Sequence, residues 1–185
     1  MAGKTEVEGF KGLLAGGLPD LGPGPRADVM PQEELDKVLG LLLGETNLPA
    51  VSQELVRGVV LLWHDHIDAA HTIAQDIEDA DGSYLHGIVH RREPDYGNAK
   101  YWFRRVGRHA VFPIIAERAA GLLESQKEHS LQKELMPGGE WDAFALVDLC
   151  EEASGRAADK GLVEKLKQIQ AIEFEVLLER VLTAL

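Results

Sequence analysis

The chain has 185 residues, 45% hydrophobic and 27% charged, the balance of a globular chain long enough to bury a core without help from a disulfide or a metal. Acidic residues outnumber basic ones 31 to 19; the resulting −12 repels phosphate backbones and argues against a general nucleic-acid binder, and the single cysteine, Cys150, excludes an internal disulfide or a cysteine-rich zinc module. No apolar run approaches the ~20 residues of a membrane span, and the opening MAGKTEVEGFKGLL lacks a signal peptide's apolar stretch, so a cytoplasmic protein with no membrane partner is expected.

Residues 1–30 are dense in glycine and proline and read as a short helix near Val7–Leu14 followed by an irregular segment. Pro31 and the acids after it open a short apolar helix that Gly44 stops. The spacing of Leu55, Val59, Leu62, Ile73 and Ile77 predicts one long, central helix over 49–79. Ser83 is placed to cap a helix to about Arg91, Glu93-Pro94 ends it, and Asp95 caps the next, Tyr96–Val106. Pro113 starts a helix to about Lys127, and another spans Trp141 to Ser154. Gly155–Asp159 breaks the chain before a final helix, Lys160 to about Leu182. With no alternating strand-like run, the expected fold is all-α: an irregular 1–30 segment and a single 31–185 domain, together an irregular bundle of about seven helices.

Five of the seven histidines fall between positions 64 and 90. On a continuous 49–79 helix, His64, Asp68, His71 and Gln75 share one polar stripe, and Asp68 stands at i, i+3 to His71. His86 and His90 are spaced i, i+4 on the next helix. Folding the chain back on itself at Ala80–Ser83 brings His90 within two residues of His71 along the axis, an offset of about 3 Å. Three imidazoles with open positions suit a divalent transition metal such as Zn, Ni, Mn or Fe. Asp68 or Glu93 is then the candidate general base or orienting carboxylate. His66 reads as a core histidine.

From His86 to His109 the local charge is +4, against −16 for the rest of the chain. Arg91, Arg92, Lys100, Arg104 and Arg105, interleaved with Tyr96, Tyr101, Trp102 and Phe103, can hold a carboxylate or phosphate through guanidinium contacts. The same cations can instead pair with acids inside the protein. His64-Asp65 resembles the doublet of HD-type phosphohydrolases, but those need a histidine on an earlier helix and none precedes His64. No Glu-x-x-His, Walker A or GxSxG motif occurs. Cys150 lies in an acidic helix, which raises its thiol pKa and makes it a poor nucleophile.

The block His86-Gly87-Ile88-Val89-His90-Arg91-Arg92-Glu93-Pro94-Asp95-Tyr96-Gly97-Asn98-Ala99-Lys100-Tyr101-Trp102-Phe103-Arg104-Arg105-Val106-Gly107, with His71–Gln75 before it, resembles a segment shared by a family of uncharacterised proteins. The resemblance covers residues 71–107 and implies no activity. The expected function therefore rests on the residues: a metal-dependent enzyme or binder acting on a small anionic molecule at a His/Arg pocket. The alternative is a non-catalytic helical protein whose basic segment binds an acidic partner or forms a homo-oligomer.

Overall fold

The computed structural model describes residues 4–27, 29–155 and 159–183, with side chains from Val7 onward. Ten α-helices follow in order among the described residues: α1 (Lys4–Leu13), α2 (Gln32–Gly44), α3 (Ala50–Trp63), α4 (Ile67–Gln75), α5 (Ala80–Arg92), α6 (Tyr96–Val106), α7 (Phe112–Ser125), α8 (His129–Leu135), α9 (Ala143–Ala153) and α10 (Lys160–Thr183). A 3-10 turn occupies Pro137–Gly139, and no strand occurs among the described residues, so the fold is all-α. One apolar cluster runs from Phe10 and Leu14 through to Leu182. Most of the break expected at Gly155–Asp159 falls on residues 156–158, outside the described residues.

The helices outnumber the seven or so expected, and the main reason is a corner. The helix expected over 49–79 is two helices, broken at His64-Asp65-His66. Asp65 adopts φ 63°, a left-handed conformation that a non-glycine residue holds only when its surroundings enforce it. Here they do. Its carboxylate accepts from the Arg26 backbone N–H and Nε, both at 2.8 Å, and from Arg92 Nη2 at 2.6 Å. The short α8, between α7 and the Pro137 turn, is a further helix, in a stretch for which no element was expected.

The breaker-rich N-terminal segment is pinned at several points. Arg26 also donates to the carbonyls of Gly17, Leu18 and Trp63, Arg92 Nη2 donates to Gly22 O at 3.0 Å, and Gln170 Nε2 donates to Asp20 O at 2.9 Å. This irregular backbone is satisfied largely by side chains, its own Arg26 and those of the body it crosses.

The central helix is α5 rather than the 49–79 region, since every residue from Gly82 to Arg92 is buried. Asp79, not Ser83, caps it, accepting from Gly82 N at 2.8 Å. Gly82 is obligatory there: a Cβ would lie 2.3 Å from the Ile77 carbonyl oxygen. Gly87 lets α6 close onto α5, because a Cβ would meet the Phe103 ring at 3.0 Å. The reversal at Glu93-Pro94-Asp95 is fixed by Glu93 N donating to Val89 O at 3.0 Å and Asp95 N to His90 O at 2.9 Å. Asp95 then caps α6 through Asn98 N at 3.2 Å, as its position implied. The result is a tight α4–α5–α6 unit in which one face of α5 looks at both neighbours.

Candidate metal centre

On that face, His71 of α4 meets His86 and His90 of α5, with one ligand nitrogen from each within 4.8 Å of the other two. His71 and His86 approach Nε2 to Nε2 at 2.9 Å. The rings of His86 and His90 are stacked at 4.7 Å between centroids, as i, i+4 residues on a helix can be, and His71 meets both edge-on at 4.7 and 4.8 Å. The expectation that an antiparallel turn would bring these three rings together is met; the reversal itself lies at Asp76–Asp79, slightly earlier than Ala80.

Glu93 sits just past the end of α5 and reaches two of the rings at once. Its Oε1 is 2.9 Å from His71 Nδ1 and its Oε2 is 3.0 Å from His90 Nδ1. The side chains of Glu93 and His71 are 26% and 30% exposed while that of His90 is 7%, so solvent reaches the cluster from the Glu93–His71 side. Asn98 Nδ2 stands 3.0 Å from Nε2 and 3.4 Å from Nδ1 of His90. The two nitrogens flank Cε1, so the amide nitrogen, which can only donate, stands close to both.

Trp102 of α6 closes the far side. It stacks on His86 with centroids 3.9 Å apart and planes 17° apart, and the Arg105 guanidinium lies 5.1 Å from a Trp102 ring centroid. Burial, followed by repulsion from His90 and His71, lowers the His86 pKa to about 3. Burial likewise lowers that of His90, against the opposing pull of Glu93. Both rings are therefore neutral near pH 7, the state in which imidazole ligates a metal. His86 Nδ1 is buried and has no hydrogen-bond partner among the described residues.

Several expected site residues are elsewhere. Asp68 is exposed, and its carboxylate makes no hydrogen bond or ion pair among the described residues, so its i, i+3 relation to His71 produces no contact. His64 has turned away at the corner: its Nε2 is 2.8 Å from Leu13 O, and its Nδ1 accepts from Met30 N at 3.2 Å. His66 is half-buried at the start of α4, with Nε2 2.8 Å from Met30 O, a helix-corner residue rather than a core one.

Arg91 and Arg92 do not line the pocket. Both are 0% exposed. Arg91 Nη2 donates to Glu173 Oε2 at 2.5 Å and to Gln170 Oε1 at 3.2 Å; Arg92 pairs with Asp65 and donates to Leu62 O and Gly22 O. Both are paired inside the protein and turned away from the histidines, because residues 91 and 92 follow His90 by about 100° and 200° around a helix buried on every side. Lys100 pairs with Asp148 of α9 and so ties α6 to that helix. Arg104 and Arg105 are exposed and without an ion pair among the described residues. Cys150 is buried, and its thiol pKa is raised to about 11 chiefly by burial, not by the acids beside it in sequence.

A groove of about 1170 Å³ between α7, α8 and the Pro137–Trp141 segment is separate from the histidine cluster, with no lining residue in common. No helix among the described residues is long and apolar enough to cross a membrane. Comparison with protein-family models, curated proteins and solved structures gives no match to the chain. The functional reading therefore stands on the geometry above.

Proposed function

We propose that His71, His86 and His90 hold a divalent transition metal, and that the protein is a metal-dependent enzyme or binder acting on a small anionic molecule. The observation that carries this reading is the convergence of three imidazole nitrogens within 4.8 Å at the α4–α5 junction. A three-imidazole set leaves coordination positions open and suits Zn, Ni, Mn or Fe. An ion held in this way supplies a Lewis acid and a bound water of lowered pKa.

The remaining work belongs to the chain. Glu93 is the carboxylate of the site and Asp68 is not. Trp102 seals the cluster behind His86. Arg105, laid against Trp102 and free of an acidic partner among the described residues, is the guanidinium best placed to attract an anion, with Arg104 beside it. Arg91, Arg92 and Lys100 are removed from the anion-binding set because each is already paired.

Elemental analysis of untagged protein tests the reading. Near-stoichiometric metal that disappears in His90→Ala supports it; protein that stays metal-free after exposure to Zn, Ni, Mn and Fe overturns it. The alternative keeps some support from the exposed cluster of Tyr101 (47% exposed), Arg104 and Arg105, which suits an acidic partner or a second copy. Salt-sensitive self-association measured by light scattering, lost in Arg104→Glu, would favour it.

A further inference from the structure

We infer that Trp102 is the positioning residue for His86, setting by ring stacking an orientation that no hydrogen bond sets. The inference rests on the metal reading for its effect on affinity, but the stack itself is independent of any ion. A metal-binding imidazole is ordinarily oriented through its second nitrogen, by a carboxylate, a backbone carbonyl or water. His71 and His90 each have a carboxylate at hand, since Glu93 stands 2.9 and 3.0 Å from their Nδ1 atoms. His86 has no carboxylate or backbone partner among the described residues. Its Nε2 faces His71 Nε2 at 2.9 Å, and its Nδ1 is buried and unpartnered. Polar contacts from outside the cluster therefore leave its rotation about Cβ–Cγ undefined.

Aromatic contacts define it instead. Trp102 lies 3.9 Å from His86 between centroids with planes 17° apart, and His90 lies 4.7 Å away at 15°. Against so close and nearly parallel a neighbour as Trp102, His86 cannot rotate without driving a ring edge into the indole. Trp102 is itself held in place. Gly87 lets α6 lie so near α5 that a Cβ there would meet the Phe103 ring, next to Trp102, at 3.0 Å. The Arg105 guanidinium lies 5.1 Å from a Trp102 ring centroid. Arg105, Trp102, His86 and His90 thus form one column, from the exposed basic face of α6 to two of the three candidate ligands. A ring held in one orientation before the ion arrives loses less freedom when it binds.

A flat partner is what this role needs. Phenylalanine at position 102 keeps a ring to stack on His86, whereas leucine keeps apolar bulk but offers no flat face. If Trp102 only seals the cluster, the two replacements are equivalent. If it positions His86, phenylalanine rescues and leucine does not.

The test has two arms on the untagged full chain. In the ion-free parent, the His86 ring protons should be shifted upfield by the indole in ¹H–¹³C spectra, partly so in Trp102→Phe and not in Trp102→Leu. Calorimetric titration with Zn²⁺ should give an affinity about 10–100-fold weaker in Trp102→Leu, the usual loss on removing a group that orients a ligand, and close to the parent's in Trp102→Phe. Unshifted His86 protons in the parent, or equal Zn²⁺ affinities in the two variants, overturn the inference. If the parent shows the upfield shift but binds none of Zn, Ni, Mn and Fe, the metal reading fails, and with it the effect on affinity, while the stack stands.

Discussion

Two pairs of charged or chargeable residues follow one another on α5, and they have opposite fates. Arg91 and Arg92 are fully buried and matched to acids far away in sequence, Glu173 on α10 and Asp65 at the α3–α4 corner. His86 and His90 are matched mainly to each other, to His71 and to Glu93, all at one partly open edge. The arginines have their partners built in and contribute architecture. His86 and His90 are neutral near pH 7, and His86 Nδ1 finds no partner among the described residues, so their ring nitrogens are not all matched from within the fold. Electrostatic residues inside a fold are thus separated by whether the protein itself completes their coordination.

The comparison breaks most visibly if an arginine is removed. Glu173 is 0% exposed and also accepts from Tyr84 Oη at 2.7 Å, so losing Arg91 strands a buried carboxylate. Arg91→Met should cost about 3–5 kcal/mol, the usual penalty for breaking a buried pair on one side. Because Arg91 Nε and Nη1 have no partners, the intact pair is itself imperfectly satisfied. Adding Glu173→Gln to Arg91→Met should therefore recover much of the loss, a coupling that a double-mutant cycle in urea measures. Strict additivity of the two losses would contradict the pairing.

The histidine side of the comparison predicts gain in place of loss. Zinc at a hundredfold excess over its dissociation constant should raise stability by about 2.7 kcal/mol, since only the folded chain brings the three rings together. His71→Ala or His90→Ala should abolish that gain. Chelation should return the melting temperature to the ion-free value without loss of helical circular dichroism, because the apolar core is continuous from Phe10 to Leu182 without the ion. Unfolding on chelation would instead make the metal part of the architecture.

Acid sharpens the difference further. The His86 pKa is about 3 in the fold, and that of an unfolded histidine is near 6.5. Below 6.5 the unfolded chain takes up a proton that the folded chain refuses, so stability is full above pH 6.5 and declines progressively toward pH 3. His90, also lowered, works in the same direction. Asp65 behaves differently. Burial favours its neutral form, but hydrogen bonds from Arg26 and Arg92 prevail and hold its carboxyl below the ordinary value, so its contribution persists until more acidic pH. His86→Phe should flatten the decline between pH 6.5 and 3 and leave the final acid transition in place, as urea titrations across that range would reveal.

The parts legible in the sequence are those governed by local spacing. His86 and His90 lie i, i+4 on a helix, and a short reversal brings His71 to them, so the centre follows from helix geometry. Trp102 was read only as part of the basic patch, although the same reasoning reaches it: with the chain folded at Pro94, position 102 is level with His86, which it stacks upon. Other features depend on distant partners. The corner at Asp65 interrupts a pattern that is periodic on both sides, and what stabilises it comes from Arg26 and Arg92, 39 and 27 residues away. The local excess of positive charge was equally ambiguous. Arg91 and Arg92 became structural because α5 is enclosed on every side, a property of the packing and not of the segment.

The smallest expected stability effect concerns Arg105, a cation outside any ion pair among the described residues. It is exposed and touches only the Trp102 face among the aromatic residues, so Arg105→Ala should change stability by about 0.5–1 kcal/mol at most, the worth of an exposed cation–π contact. Its effect on binding should be larger. On the proposed reading, an anion drawn by both the metal and Arg105 should bind better to the loaded protein than to the ion-free form, and by linkage should tighten metal binding by the same factor. Titrating phosphate and small carboxylates into ion-free and zinc-loaded protein measures that factor directly, and Arg105→Ala should lower it while Lys100→Ala should not. If phosphate binds both forms equally, the basic face of α6 and the histidine cluster are independent features, and the exposed arginines belong to an interaction surface instead of a substrate site.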